Sequence, residues 1–538
     1  MERLRWKALV AALAVIACTG LCHAVEAEQQ SARVKPKYRV LFNQDCTNFF
    51  DRGEHTKEAV QLMIDEVADG GADVFLVNPN AQLVNYPSKA WQTDWEGYTE
   101  GDRSFFGGIP DKTVPRRERI VKNKARLAEE GDYLAIALAR CRERGIAPGV
   151  SLRMNDMHDA NTPTSHVFSR FWKENPQFRL KPWDGRSWGS AGFDYAHLEV
   201  REYFLSLIRE LAQDYDLDVL ELDFLRFPFY FSRDDIDRHC ETMTGFIREV
   251  RQILDATGRP IALIPRVASS PGAALLLGFD VQAWAQQGLV DGITAANFVE
   301  GAWDVPVADF RSLVGPDVAV YAGMEVSADR RDGLPTRYVA ESAEMLRGFA
   351  AGYLAAGADG INTFNFFLAR YHHPVPAAEY YGGLRQLRSL EEARSQSRIH
   401  LLTAGYWQTE CDMPKQVPLT IDTYTERALE MLLAAEGADQ RVEALVCFDG
   451  DATAENLWLR IGMHSAGHAV EIREGPERKQ EDEPEHKSKI AVFNVPAGAI
   501  KDGTNKLIIR SESVSTTILG IDVVIHMATV PGAEGPDR

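Results

Sequence analysis

The chain has 538 residues, of which 45% are hydrophobic and 25% charged, values of a folded protein too long for a single core. Its formal net charge of -19 excludes a partner recognised through a phosphate backbone and favours a neutral or weakly charged ligand. Seven cysteines are scattered without any CxxC pair, which excludes a disulfide framework and a zinc ribbon.

The chain opens on MERLRWKALVAALAVIACTGLCHAVEAEQQ. Arg3, Arg5 and Lys7 precede an apolar run from Ala8 to Ala17, and Val25-Glu26-Ala27 is a small-x-small cleavage pattern. Residues 1–27 therefore read as an export signal, too short to span a membrane. Val15-Ile16-Ala17-Cys18 also matches a bacterial lipobox, with Cys18 as the lipidated residue. Both readings stand: a periplasmic or extracellular protein, or one lipid-anchored at the bacterial cell surface. No later stretch has the length of a membrane span.

From YRVLFN (38–43) strands and helices alternate. The helix TKEAVQLMIDEVADGG leads to the strand ADVFLVNPN (72–80), and a long aromatic and charged insertion follows from about Ala81 to Val114. RIVKNKARLAEEGDYLAIALARCRERG reads as one helix, and IAPGVSLRMND as the third strand. A second insertion carries FWKENPQF and KPWDGRSWGS. LEVREYFLSLIRELAQDYD has apolar residues at helical spacing and feeds VLELDFLRFPF, the fourth strand. The helix DDIDRHCETMTGFIREVRQILDATG and the strands RPIALIPRV, VDGITAANF, DVAVYAGMEV and ADGINTFNFF complete eight units. Eight strand–helix units over residues 38–390 predict an α/β fold, a (β/α)8 TIM barrel with long loops. A doubly wound sheet is the rival, but no glycine-rich phosphate loop follows the first strand.

Beyond SLEEARSQSRIH, a polar hinge, come VPLTIDTY, RVEALVCF, LWLRIGM, HAVEIRE, KIAVFNVP, NKLIIRS and GIDVVIHMA. Short strands separated by turn residues predict a smaller all-β sandwich over residues 398–530. EGPERKQEDEPEHKSK reads as a solvated hairpin loop.

Barrel chemistry sits where strands end. Asn43 and Asp45 end the first predicted strand, Asn78 and Asn80 the second, and Arg153, Asn155, Asp156, His158 and Asp159 the third. The fourth carries Glu221 and Asp223 on one side, then Arg226; the fifth Arg266; the sixth Asn297 and Glu300; the seventh Glu325; the eighth Asn362 and Asn365. Trp91, Trp95, Trp183, Trp188 and Trp303 are expected around the same rim. Any single residue of this set is as readily a buried ion-pair partner as a functional group. The whole set is harder to explain structurally, because each desolvated carboxylate costs several kcal/mol.

Carboxylates, amides, arginines and indoles together suit a carbohydrate: amides and arginines bond hydroxyls, and indole faces stack on pyranose rings. Glycoside cleavage needs two carboxyl groups and no cofactor or metal. Glu221 or Asp223 facing Glu325 is the expected catalytic pair, about 5–5.5 Å apart for retention or roughly 6.5–9.5 Å for inversion. Arg153, Asn155, Asp156, Arg226, Arg266, Asn297, Asn365, Asn78 and Trp303 are the expected substrate-binding residues. Asp156-Met157-His158-Asp159 lacks the spacing of a known metal site, His372-His373 reads as a rim or loop-packing pair, and His464 as structural. No GxSxG elbow is present.

GVSLRMNDMHD, FDYAHLEVREYFLSLIRELAQDYDLDVLELDFLRFP and ADGINTFNFF resemble the glycosyl-hydrolase-like barrels related to glycoside hydrolase family 10, over most of residues 38–390. Leu198 stands where that family's motif has proline. The resemblance implies a glycosidase barrel. The family's Asn-Glu pair at the end of strand four is absent; this strand reads Glu221-Leu222-Asp223, so the proton donor does not transfer, and the nucleophile maps onto Glu325 by position. In barrels acting on α-glycosides the strand-four aspartate is the nucleophile, which fits Asp223 with Glu300 or Glu325 as donor. FNVPAGAIKDGTNKLIIRS resembles jelly-roll, galactose-binding-like modules, which either bind sugar or buttress a barrel. Two functions are therefore expected: an exported glycoside hydrolase, or a surface carbohydrate-binding protein on a barrel that no longer cleaves.

Overall fold

The computed structural model describes residues 35–53, 55–181, 191–232, 236–298, 301–328, 334–366, 375–405, 412–478 and 486–527. Eight parallel strand positions close a barrel: β1 (Val40–Gln44), β2 (Val74–Val77), β3 (Ala147–Arg153), β4 (Val219–Asp223), β5 in two pieces (Ala262–Leu263 and Arg266–Val267), β6 (Gly292–Ala295), β7 (Ala319–Glu325) and β8 (Gly360–Phe364). β1 pairs with both β2 and β8, and β3 pairs with β4, so the sheet has no free edge. The strands are buried on both faces, as a sheet covered by helices requires.

The helices follow the sequence signals closely, with one difference. The stretch read as one helix is two, Val114–Glu130 and Tyr133–Arg144. Asp132 makes the break, because its carboxylate caps the amides of Leu134 and Ala135. The second helix then ends at Gly145, whose φ of 71° is left-handed.

The C-terminal region holds two antiparallel sheets. One contains β9 (Arg398–Leu402), β10 (Leu419–Ile421), β12 (Gln440–Asp449), β15 (Glu471–Arg478), β16 (His486–Val495) and β18 (Thr516–Met527); the other contains β11 (Thr425–Leu433), β13 (Leu457–Ile461), β14 (His464–His468) and β17 (Gly503–Ser511). Leu429, Met431, Leu433, Val442, Val446, Leu507 and Ile521 contribute to their shared core. β9 forms where a polar hinge was read. β11, TERALEMLL, escapes a sequence reading because its residues are strong helix formers; its nine-residue pairing with β17 overrides that preference.

β9 docks on the barrel helix Ala343–Ala355. Gly348 permits the approach, since a Cβ there would lie 1.8 Å from the Ile399 carbonyl oxygen. No helix among the described residues is long and apolar enough to cross a membrane.

Candidate active site

The C-terminal strand ends open onto a cavity of about 550 Å³. Asp45, Asn78, Arg153, Asp156, His158, Arg226, Glu325 and Asn365 line it, and Asp94, Arg116, Arg117, Lys124 and His166 extend it.

A chain of charges crosses this mouth. Arg153 is the last residue of β3, and Asn80 fixes its backbone by accepting from its N–H and donating to its carbonyl, both at 3.0 Å. Its guanidinium then reaches Asp45 Oδ2 at 2.9 Å and Asp156 Oδ2 at 3.3 Å. Asp156 Oδ1 meets His158 Nδ1 at 2.8 Å, and Arg226 Nη2 meets His158 Nε2 at 3.0 Å. A guanidinium only donates, so Nε2 is the acceptor and Nδ1 carries the proton. Burial alone would raise the Asp45 carboxyl, but Arg153, Arg226 and the Thr47 amide outweigh it and hold the group well below the usual carboxylate range. Asp156 is depressed in the same way: burial opposes, while His158, Arg153 and Arg226 prevail.

Glu325 behaves oppositely. It ends β7, and Asn365, in a left-handed conformation just after β8 (φ 57°), donates to its Oε2 at 3.1 Å. Burial pushes the Glu325 carboxyl up to about 7, against the Asn365 hydrogen bond, Arg266 and Arg226. Since β7, β8 and β1 are neighbours, Glu325, Asn365 and Asp45 stand at three consecutive strand ends. One cavity is thus lined by a carboxyl pushed up to about 7 and by carboxylates held low, the division of labour an acid–base pair requires.

Glu221, Asp223 and Arg266 do not line the cavity. Glu221 is wholly buried. Its Oε1 accepts from Asn43 Nδ2 and Ser151 Oγ, each at 2.7 Å, and its Oε2 from Asn362 Nδ2 at 2.5 Å. Burial, then Asp223, push it up to about 7. Asp223, two residues nearer the mouth, is ion-paired to Arg266 at 2.9 Å. The Arg266 guanidinium also lies 3.8 Å from the centre of the Phe364 ring.

The remaining expected residues divide. Asn78 borders the cavity, with its amide donated to the carbonyls of Ser151 and Asn80. Asn155 lies behind the wall and clamps the backbones of Phe193 and Phe229. Asn297 bonds Asp304 at 2.8 Å. Trp303 is buried edge-on against Phe349, and Trp91 stacks on Tyr203. No tryptophan among the described residues faces the cavity, whose one phenol is Tyr338. Glu300, Trp183, Trp188, His372, His373 and Cys18 lie outside the described residues. Asp159 pairs with Arg117 and Ser165, not with Asp156 and His158, and no cluster of three metal-ligating side chains occurs among the described residues.

A second set of lining residues went unnoticed in the sequence. Arg116, Arg117, Ile120, Val121 and Lys124 form one face of the helix Val114–Glu130, and Lys124 is buried against Asp94 of the first insertion at 2.6 Å. Their helical spacing was the available signal. The C-terminal region also contributes to the wall. Gly405 borders the cavity, and Asp412 Oδ1 accepts from the Phe298 amide at 2.7 Å. Arg337, beside Tyr338, pairs with Asp522 of β18 at 2.7 Å.

No protein-family model and no curated protein matches the chain. Among solved structures it is similar to the PgaB (BpsB) glycoside hydrolase domain of Bordetella bronchiseptica, at 12% identity and a TM-score of 0.41, covering 66% of this chain and 99% of that one. It is similar to the maltogenic alpha-amylase AmyB of Thermotoga neapolitana, at 12% identity and a TM-score of 0.36, covering 90% and 99%. It is also similar to a cycloisomaltooligosaccharide glucanotransferase of Paenibacillus sp., at 10% identity and a TM-score of 0.35, covering 90% of this chain and 57% of that chain's length. At these identities and scores no site residue transfers from any of them.

Proposed function

We propose that the chain is an exported glycoside hydrolase, with the residues 1–27 leader directing export and Cys18 the point of attachment if it is lipidated. The observation that carries the hydrolase reading is the split between Glu325, pushed to about 7, and Asp45, held ionised, on one cavity. Glu325 is the proton donor to the leaving oxygen. Asp45 is the partner carboxylate that stabilises the positive charge developing on the sugar or directs water to it. Arg153, Asp156, Arg226, Asn78 and Asn365 surround the bound sugar. Asp223 and Glu221, proposed from the sequence as catalytic acids, act from beneath: Asp223 sets Arg266, and Glu221 ties four strands together.

The test is reducing-sugar release by the mature chain from a panel of polysaccharides, run beside Glu325→Gln and Asp45→Asn. Release that falls at least a hundredfold in both folded variants supports the assignment. Full activity in either removes that residue from the chemistry. Asparagine at 45 retains an acceptor for the Thr47 amide, so helix capping is preserved.

A second reading is a binding protein that does not cleave. It is favoured by the pairing of Asp45, Asp156 and Asp223 with arginines. A glycan bound tightly yet left intact over long incubation would establish it.

A further inference from the structure

We propose that the cavity takes an anionic sugar, one bearing a carboxylate or sulfate, and that Arg226 receives its negative group. The proposal rests on the carbohydrate reading above and names the substrate class of that same site.

Five cationic side chains line the cavity, and four of them already hold a carboxylate. Arg153 holds Asp45 and Asp156, Lys124 holds Asp94, Arg117 holds Asp159, and Arg116 holds Asp51. Arg226 is the exception: among the described residues it makes no ion pair. Its Nη2 meets His158 Nε2 at 3.0 Å, and its Nε is buried without a hydrogen-bond partner. Burial and the neighbouring Arg153 weaken its hold on its proton, against the fields of Asp156, Asp45 and Asp223. A hydroxyl at this point would accept a hydrogen bond but leave the guanidinium without a counter-ion in contact. An anion does both, and charge-assisted bonds to a guanidinium are the stronger kind.

The overall charge of -19 does not oppose this. Surface carboxylates farther than about 10 Å away are screened by salt, whereas groups inside the cavity are not. Five cationic and four carboxyl side chains line the cavity, so one positive charge remains with Glu325 ionised and two with it protonated. Arg226 and Glu325 line the same cavity, and the field of Arg226 reaches the proposed proton donor. An anion bound there would also favour the protonated form of Glu325, so an acidic substrate would help hold its own catalyst in the donating state.

The experiment measures binding on the folded Glu325→Gln variant by calorimetry, so that cleavage is not required. The probes are a uronate polymer, a sulfated galactan, and the carboxyl-reduced and desulfated forms of each. The acidic polymers are expected to bind at least tenfold more tightly than their neutral forms, with the preference falling as salt is raised. Preference for the uronate identifies a carboxylate as the group, and preference for the galactan identifies a sulfate. Adding Arg226→Gln should remove the preference, so that the acidic and neutral forms bind within about twofold of each other. Arg226→Lys, which retains the charge but not the fork, should keep part of it and serves if the glutamine variant does not fold. Equal binding of acidic and neutral forms, or a preference unchanged in both Arg226 variants, overturns the proposal. If the acidic polymers bind as described but wild type cleaves nothing, the hydrolase reading fails and the anion site stands.

Discussion

Asp223 and Arg266 face each other across β4 and β5, carboxylate to guanidinium at 2.9 Å, each about 98% or more buried. The pair lies under the cavity floor, so a change to Asp223 removes a counter-charge before it removes any chemistry.

Asp223→Asn should therefore destabilise the fold by about 3–5 kcal/mol, the cost of leaving a buried charge unpaired. Chemical denaturation measures it. Adding Arg266→Gln should recover part of the loss, since no bare charge then remains. A stable single variant without activity would return Asp223 to the list of reacting groups.

Activity should fall as pH rises through about 7, because Glu325 must carry a proton to donate it and its carboxyl is pushed up to about 7. Asp45, held ionised by Arg153 and Arg226, should keep its charge across the accessible acid range. A pH–rate profile of kcat/KM checks the basic limb. A limb near 4.5 would assign the proton to a solvated carboxyl instead.

The Arg337–Asp522 pair joins the cavity rim to β18 and is partly exposed. Asp522→Asn should cost no more than about 1 kcal/mol of stability. It should nonetheless raise KM severalfold with little change in kcat, because the rim carrying Tyr338 loses its tie. Exchanging the two residues, Arg337→Asp with Asp522→Arg, should restore KM. A large drop in stability without a KM effect would make the pair purely structural.

His400 is wholly buried in β9, against the barrel helix that carries Gly352. Burial, aided by Arg398, pushes its ring down to about 3. A depressed folded value means that the unfolded chain binds the proton first as pH falls. The stability in question is thus complete above about 6.5 and declines toward about 3, by at most about 1.4 kcal/mol per pH unit. His400→Leu should flatten this part of the dependence in thermal melts between those limits.

Local residue patterns carried much of the barrel. Apolar runs of strand length, helical spacing in LEVREYFLSLIRELAQDYD and polar groups gathered at strand ends are properties of neighbours in the chain. β11 lacked such signals: it is written in helix formers and is a strand only because a distant partner pairs with it, while β9, RIHLL, begins inside the polar stretch read as a hinge and pairs with β18. The candidate site was legible as a membership and not as an arrangement. Glu221, Asp223 and Glu325 are equivalent carboxyls on paper, and nothing local distinguishes the one that opens onto the cavity from the two beneath its floor.

What the sequence by itself determined is which residues stand at the ends of which strands, because side-chain alternation and strand–helix alternation are short-range properties. What only the tertiary structure decided is protonation and pairing: Arg153 finds Asp45 across 108 residues, and burial raises Glu325 while arginines depress Asp45. A carboxyl's proton affinity depends on the water it has lost and the charges beside it, and both are set by groups remote in the chain.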